Sequence, residues 1–179
     1  MARLPRAAGT GSVADSIRER RGGDLQPLDE LLLLSPPVAE GWNALLGAIR
    51  GRLHLDPRLR ELVILRIAVL NGAAYEWHAH EPHARRCGVE EAKIAAVRQG
   101  PEHPDFTPDE RAVLEYADAM TGEVTVSPAV FGAVEAVLPT REVAELTATV
   151  AAYNMVSRFL VALDITPADI RKRAEGDVQ

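Results

Sequence analysis

A capping residue followed directly by proline recurs along this chain, and no other feature limits its fold as strongly. Asp56-Pro57, Thr107-Pro108 and Ser127-Pro128 each pair a side-chain oxygen, able to accept from the first helical amides, with a ring suited to a helix's first turn. Thr107-Pro108-Asp109-Glu110 also supplies the glutamate of a capping box. No segment alternates apolar and polar residues between hairpin signals, and Val124-Thr125-Val126 is too short to count. The expected fold class is all-α.

Apolar spacing fills in the rest. A short helix is expected over Ser12 to Arg20, ending at Gly22-Gly23. Leu28 to Leu34 is an apolar patch stopped by Pro36-Pro37, after which Val38, Trp42, Leu45, Leu46 and Ile49 share one helical face as far as Gly51. The helix that opens at Asp56-Pro57 carries Leu59, Leu62, Val63, Ile64, Ile67, Ala68 and Leu70 to Asn71-Gly72. Ala73 to Cys87 follows at once and closes on Gly88, and Val89 to Gln99 is amphipathic. Thr140 can cap a long helix from about Arg141 to Leu163, apolar on most sides and so expected to be central. Thr166-Pro167 begins a final turn before a charged tail. Residues 1–25 read as a loose N-terminal arm, since Gly9, Gly11 and small residues dominate its start, and 26–175 as one helical domain.

Composition narrows the function classes. A chain of 179 residues with 47% hydrophobic and 26% charged residues can bury a real core. A net charge of −6 argues against binding nucleic acid or an anionic membrane, because both need a basic field. Cys87 stands alone, so no intramolecular disulfide is available and a cytoplasmic location is expected. No apolar run approaches the roughly 20 residues that a membrane span needs.

Chemistry concentrates between Glu61 and Gly88, where His78, His80 and His83 fall within six positions. Glu76 and His80 are four apart and face the same way on a helix. A carboxylate beside an imidazole raises the imidazole's pKa and can fix its tautomer, which gives a proton donor and acceptor near neutral pH. The competing reading is a solvated surface pair. Glu61 sits in a run of Leu, Val and Ile, as either a site residue or an exposed first-turn residue favoured by the helix dipole. Pro82 cannot donate to the His78 carbonyl, so a bend or break is expected there. Glu76, His80 and His83 also have metal-ligand spacing, but their histidines are three apart across a proline, unlike the zinc-protease pattern, and no metal is expected. Cys87 reads as a small hydrophobe, and Trp77 as packing. In the long helix Asn154 and Arg158 share a face, and Arg158 is expected to pair with Glu145, Asp164 or a neighbouring subunit.

Leu59 to Arg66, then Tyr75-Glu76-Trp77 and His80, then Ala84 and Gly88, resemble the carboxymuconolactone decarboxylase family, whose wider superfamily includes alkylhydroperoxidase D-like proteins. Tyr153-Asn154 and Arg158 resemble that family's closing helix. The resemblance implies a helical fold whose motif helix lies beside a pocket, assembled as a homotrimer or homohexamer. Redox members carry a Cys-x-x-Cys pair with a histidine four residues later and a glutamate upstream. Here Glu61 and His80 match the glutamate and histidine, while Ala73 and Glu76 occupy the two cysteine positions.

The expected activity is therefore a cofactor-free lyase or isomerase. Glu61, Glu76 and His80 would be catalytic, with Glu76 tuning His80 and Glu61 either orienting His80 or carrying the second proton. Tyr75, Trp77, His83 and Arg66 would contact a small carboxylated or lactone substrate. Two rivals remain: a peroxidase-type antioxidant protein relying on Cys87, and a non-enzymatic oligomeric binding protein.

Overall fold

The computed structural model describes residues 2–170, all of whose regular elements are helical. The charged tail expected after the last turn lies outside those residues. The helices are α1 (Ser12–Arg21), α2 (Pro27–Leu32), α3 (Pro36–Gly51), α4 (Pro57–Leu70), α5 (Ala74–Arg86), α6 (Glu91–Ala96), α7 (Pro108–Gly122), α8 (Pro128–Val137) and α9 (Thr140–Ala162). They fall into two compact units.

Among the described residues, one unit comprises 2–52 and 162–170. Its N-terminal stretch, read from its glycines as a loose arm, is tied down instead. Arg3 donates through its amide to Leu163 and through its guanidinium to the Ala162 carbonyl, at 2.9 and 3.0 Å. Arg6 bridges Glu30 and Asp169 at 3.2 and 3.3 Å. Arg18 reaches the Gly9 carbonyl at 2.6 Å. Gly9 is required there: its φ is +66°, and a Cβ would stand 2.8 Å from Leu25. These partners are long-range, so local composition could not announce them.

The other unit, Leu53–Val161, holds the site. The proline-based starts form as expected: Asp56, Thr107 and Ser127 each accept from an amide of the first turn, and Thr107 and Glu110 complete a capping box. α4 ends at a turn in which the Ala73 amide reaches back to Ala68, with Gly72 at a φ of 65° that favours glycine. Three residues separate α4 from α5, so α5 returns along α4. The two helices pack together, and α4 also packs on α7. Leu62, Leu65, Ala84, Val89, Ile94, Ala96, Val97, Phe106 and Leu114 form a buried cluster beneath them.

Pro82 does not break α5, which is continuous from Ala74 to Arg86. The ring's φ suits a helix, and its cost is one missing donor to the His78 carbonyl. The expected amphipathic helix over Val89 to Gln99 shortens to α6, followed by a turn. α9 buries Val143, Leu146, Val150, Tyr153, Val156 and Leu160 but leaves Ala144, Ala148, Ala151 and Met155 exposed. It is apolar on most sides without being enclosed on all of them, because an alanine row exposes little apolar area. Glu145 on α9 accepts from the His54 and Leu55 amides at 2.6 and 2.8 Å, which ties the segment ahead of α4 to α9. Among the described residues, no helix is long and apolar enough to cross a membrane.

Candidate active site

α4 is apolar around most of its circumference, with Leu62, Val63, Ile64 and Leu65 all at 1% exposure or less. Glu61 is carried inside with them and is only 3% exposed, so it is not the solvated first-turn residue that the sequence also allowed. Its Oε2 lies 2.8 Å from Nδ1 of His80, itself buried on α5. Its Oε1 is met by Nε and Nη2 of Arg60, each at 3.2 Å.

Burial is the largest influence on Glu61 and pushes its carboxyl pKa up. The His80 hydrogen bond and charge, with Arg60, outweigh burial and hold it below the usual carboxylate value. An ionised carboxylate can only accept, so Nδ1 of His80 carries a hydrogen toward Glu61. Nε2 is then the nitrogen that can take or give a proton.

α9 supplies the opposite wall. The Tyr153 ring, fully buried, meets the His80 ring edge-on, with centroids 5.1 Å apart. One turn further, the buried Ser157 hydroxyl donates a short hydrogen bond to Glu76 Oε2. His80 and Glu76 are one turn apart on α5, and Tyr153 and Ser157 are one turn apart on α9. The two contacts are thus successive rungs between antiparallel helices. Outside them His83, exposed, holds its ring 5.6 Å from that of His80.

The expected residues distribute unevenly over this arrangement. Glu61 and His80 meet directly, so the carboxylate on Nδ1 is Glu61 and not Glu76, which was expected to tune the imidazole. Glu76 lies one turn along the same wall, and Tyr75 beside it is buried. Arg66, expected among the substrate contacts, is committed elsewhere. Its Nε and Nη2 bind the two oxygens of Asp118 at 2.7 Å each, and Nη1 binds the Val97 carbonyl at 2.9 Å. Five residues from Glu61 on a helix turns Arg66 well away from it. Trp77 packs on the buried cluster beneath the Arg98 guanidinium, 3.6 Å from the ring centroid.

Sequence reasoning passed over Arg60 and Ser157. Ser157 had a signal: a hydroxyl four residues after Tyr153 in an apolar helix repeats the Glu76 to His80 spacing. Arg158 donates to the side-chain and backbone oxygens of Asn154, at 2.5 and 3.1 Å. Asn154 is itself fixed by Asn71 and Thr121 at 3.0 and 2.9 Å.

Cys87 follows α5 as a half-buried thiol. Burial raises its pKa, the nearby Glu61 charge raises it further, and Arg60 and Arg86 only partly oppose them. Among the described residues, no group of three or more His, Cys, Asp or Glu side chains is placed to hold a metal ion.

The helical unit thus buries a carboxylate–imidazole couple between two hairpin helices, with a tyrosine and a serine supplied by a third. Residues 36–119 match the model of the carboxymuconolactone decarboxylase family. The chain is 34% identical over 118 residues to the uncharacterized protein YnjA of Escherichia coli, a match covering 65% of this chain and 64% of that one. The chain thus spans just under two thirds of the length of the curated relative it matches. Among solved structures it is similar to a protein of unknown function from Agrobacterium tumefaciens, described as a candidate antioxidant defence protein AhpD. The TM-score is 0.72 at 26% identity, over 76% of this chain and 94% of that one. It also shares the fold of a peroxidase-related alkylhydroperoxidase AhpD core from Ralstonia eutropha. The TM-score there is 0.78 at 20% identity, over 93% and 92% of the two chains. Residues 36–119 are thus similar to the carboxymuconolactone decarboxylase family, and the chain shares the fold of alkylhydroperoxidase D-like structures.

Proposed function

We propose that this chain is a cofactor-free lyase or isomerase that moves a proton on a small carboxylated or lactone substrate, with His80 as the acid–base group. The observation that carries the reading is the buried contact of 2.8 Å between His80 Nδ1 and Glu61 Oε2. With Nδ1–H directed at an anionic partner, Nε2 takes a proton from an acidified carbon and returns it to another as the double bond shifts. In a decarboxylation it starts protonated and gives that proton to the carbon that carbon dioxide has left. The imidazolium formed in between is stabilised by Glu61. Glu76, oriented by Ser157, is the second carboxylate of the site, and His83 stands at its solvent edge. The protein would act in the cytoplasm as a homotrimer or homohexamer, in keeping with the resemblance from which that expectation came.

The test is turnover and solvent-deuterium incorporation over a panel of small carboxylated lactones and unsaturated acids. His80→Gln should abolish both while leaving the fold intact. Unchanged turnover, or unchanged deuterium incorporation, in His80→Gln would sink the reading.

The peroxidase alternative is less well supported. Alanine and glutamate stand where redox members carry cysteines, and Cys87, the remaining thiol, has its pKa pushed up, away from the thiolate that peroxide chemistry needs. Full peroxide reactivity at neutral pH, lost in Cys87→Ser, would restore it.

A further inference from the structure

Glu61 is answered from two sides. His80 takes Oε2, and Arg60 takes Oε1 through two nitrogens. The Arg60 side chain is only 11% exposed, so this pair is shielded from water in a way that surface ion pairs are not.

The two partners differ in kind. A guanidinium stays charged at every accessible pH, whereas an imidazole gains and loses its second proton near neutrality. Had Glu61 only His80 beside it, a buried carboxylate would face a neutral imidazole for half of any proton-transfer cycle. Burial would then favour drawing a proton onto the carboxyl. With Arg60 on its other oxygen, Glu61 keeps a cation in both halves of the cycle. We infer that Arg60 is a positioning residue that holds Glu61 ionised whether or not His80 carries its second proton, and so confines the mobile proton to Nε2.

For catalysis this rests on the reading of His80 as the acid–base group; the charge assignment itself does not need a substrate. Charged and titratable groups reach the surroundings of Glu61 from three helices, and Arg58 beside Asp56 and Arg86 beside Cys87 lie further out. Arg60 and Asp56 lie at the start of its own helix. His80 and, at its end, Cys87 come from α5, with Glu76 one turn from His80. Tyr153 of α9 packs on the His80 ring. Of these, Arg60 alone is a permanent cation in direct contact with the carboxylate.

The experiment follows the Glu61 side-chain carboxyl carbon by NMR in the full-length protein from pH 7 downward, with assignment by its loss in Glu61→Gln. In Arg60→Met the midpoint should rise by about one pH unit or more, the size expected when an adjacent opposite charge is removed. Arg60→Lys, which keeps the charge but not the two-nitrogen fork, should fall between. An unchanged midpoint in Arg60→Met, with helicity retained, would overturn the inference. Should that variant not fold, Arg60→Gln keeps a donor without the charge, and an unmoved midpoint there overturns it equally. Because no substrate is present, failure of the turnover experiment and failure of this one are separate results.

Discussion

Ser157 on α9 donates its hydroxyl proton to Glu76 on α5, and both are buried. The contact joins residues 81 positions apart. It makes the second carboxylate of the site a part of the interior of the unit, and not a surface decoration of a histidine-rich helix.

Ser157→Ala should therefore cost stability. The Glu76 carboxylate would lose a buried donor, a change worth about 1–3 kcal/mol. Urea unfolding against the parent chain measures it. A loss within about 0.5 kcal/mol, the usual range for surface substitutions, would contradict the geometry.

Glu61 gives stability a definite pH dependence. Its folded pKa lies below its unfolded value of 4.5. A depressed carboxyl contributes stability that is present above the unfolded value and is lost as pH falls through the folded one. Thermal midpoints should fall between pH 5 and pH 3, and Glu61→Gln should remove part of that dependence while lowering stability at pH 7. Identical pH profiles for the two proteins would refute this.

Arg66→Gln tests the correction made at that position. Removing the guanidinium leaves the partly exposed Asp118 without its partner and the buried Val97 carbonyl without a donor, and a destabilisation of about 1–3 kcal/mol is expected. Any change in catalysis should follow loss of the fold and not a specific rise in KM. A rise in KM with unchanged unfolding would return Arg66 to the substrate.

Cys87 offers a built-in reporter. Its thiol should react slowly with a disulfide reagent at pH 7 and faster as pH rises. Glu61→Gln should shift that curve to lower pH, because the Glu61 charge raises the thiol's pKa second only to burial. Overlapping curves would show that the two groups do not sense one another.

The core should behave like any close-packed interior. Leu65 is fully buried, and Leu65→Ala should cost about 2–5 kcal/mol. A loss below 1 kcal/mol by denaturant unfolding would mean that this side chain is not enclosed as described.

The helices were legible in the sequence where the signal was local. Asp56-Pro57, Thr107-Pro108 and Ser127-Pro128 start helices because cap and ring act within one turn. Glu61 and His80 could be named, and Glu61 was one of two carboxylates that could orient the ring, but periodicity places Glu76 and His80 on one face without saying which carboxylate the ring turns toward. That choice is made by the α4–α5 hairpin. Arg66 misled for the same reason: its partner, Asp118, is 52 residues away. Arg60 gave no sign because an arginine near a helix start is ordinary by itself, whereas the Tyr153 to Ser157 spacing gains meaning only once α9 is set against α5. The N-terminal arm was misjudged as loose because arginine-to-carbonyl ties to distant residues leave no mark on local composition.

The matched spacing of the two rungs has a mechanical consequence. If α9 slid along α5 by one turn, Ser157 would come opposite His80 and Val161 opposite Glu76, setting a buried carboxylate against a hydrocarbon. Both contacts would fail together, like two tumblers cut to a single key, so this helix has one seating and no half-engaged alternative.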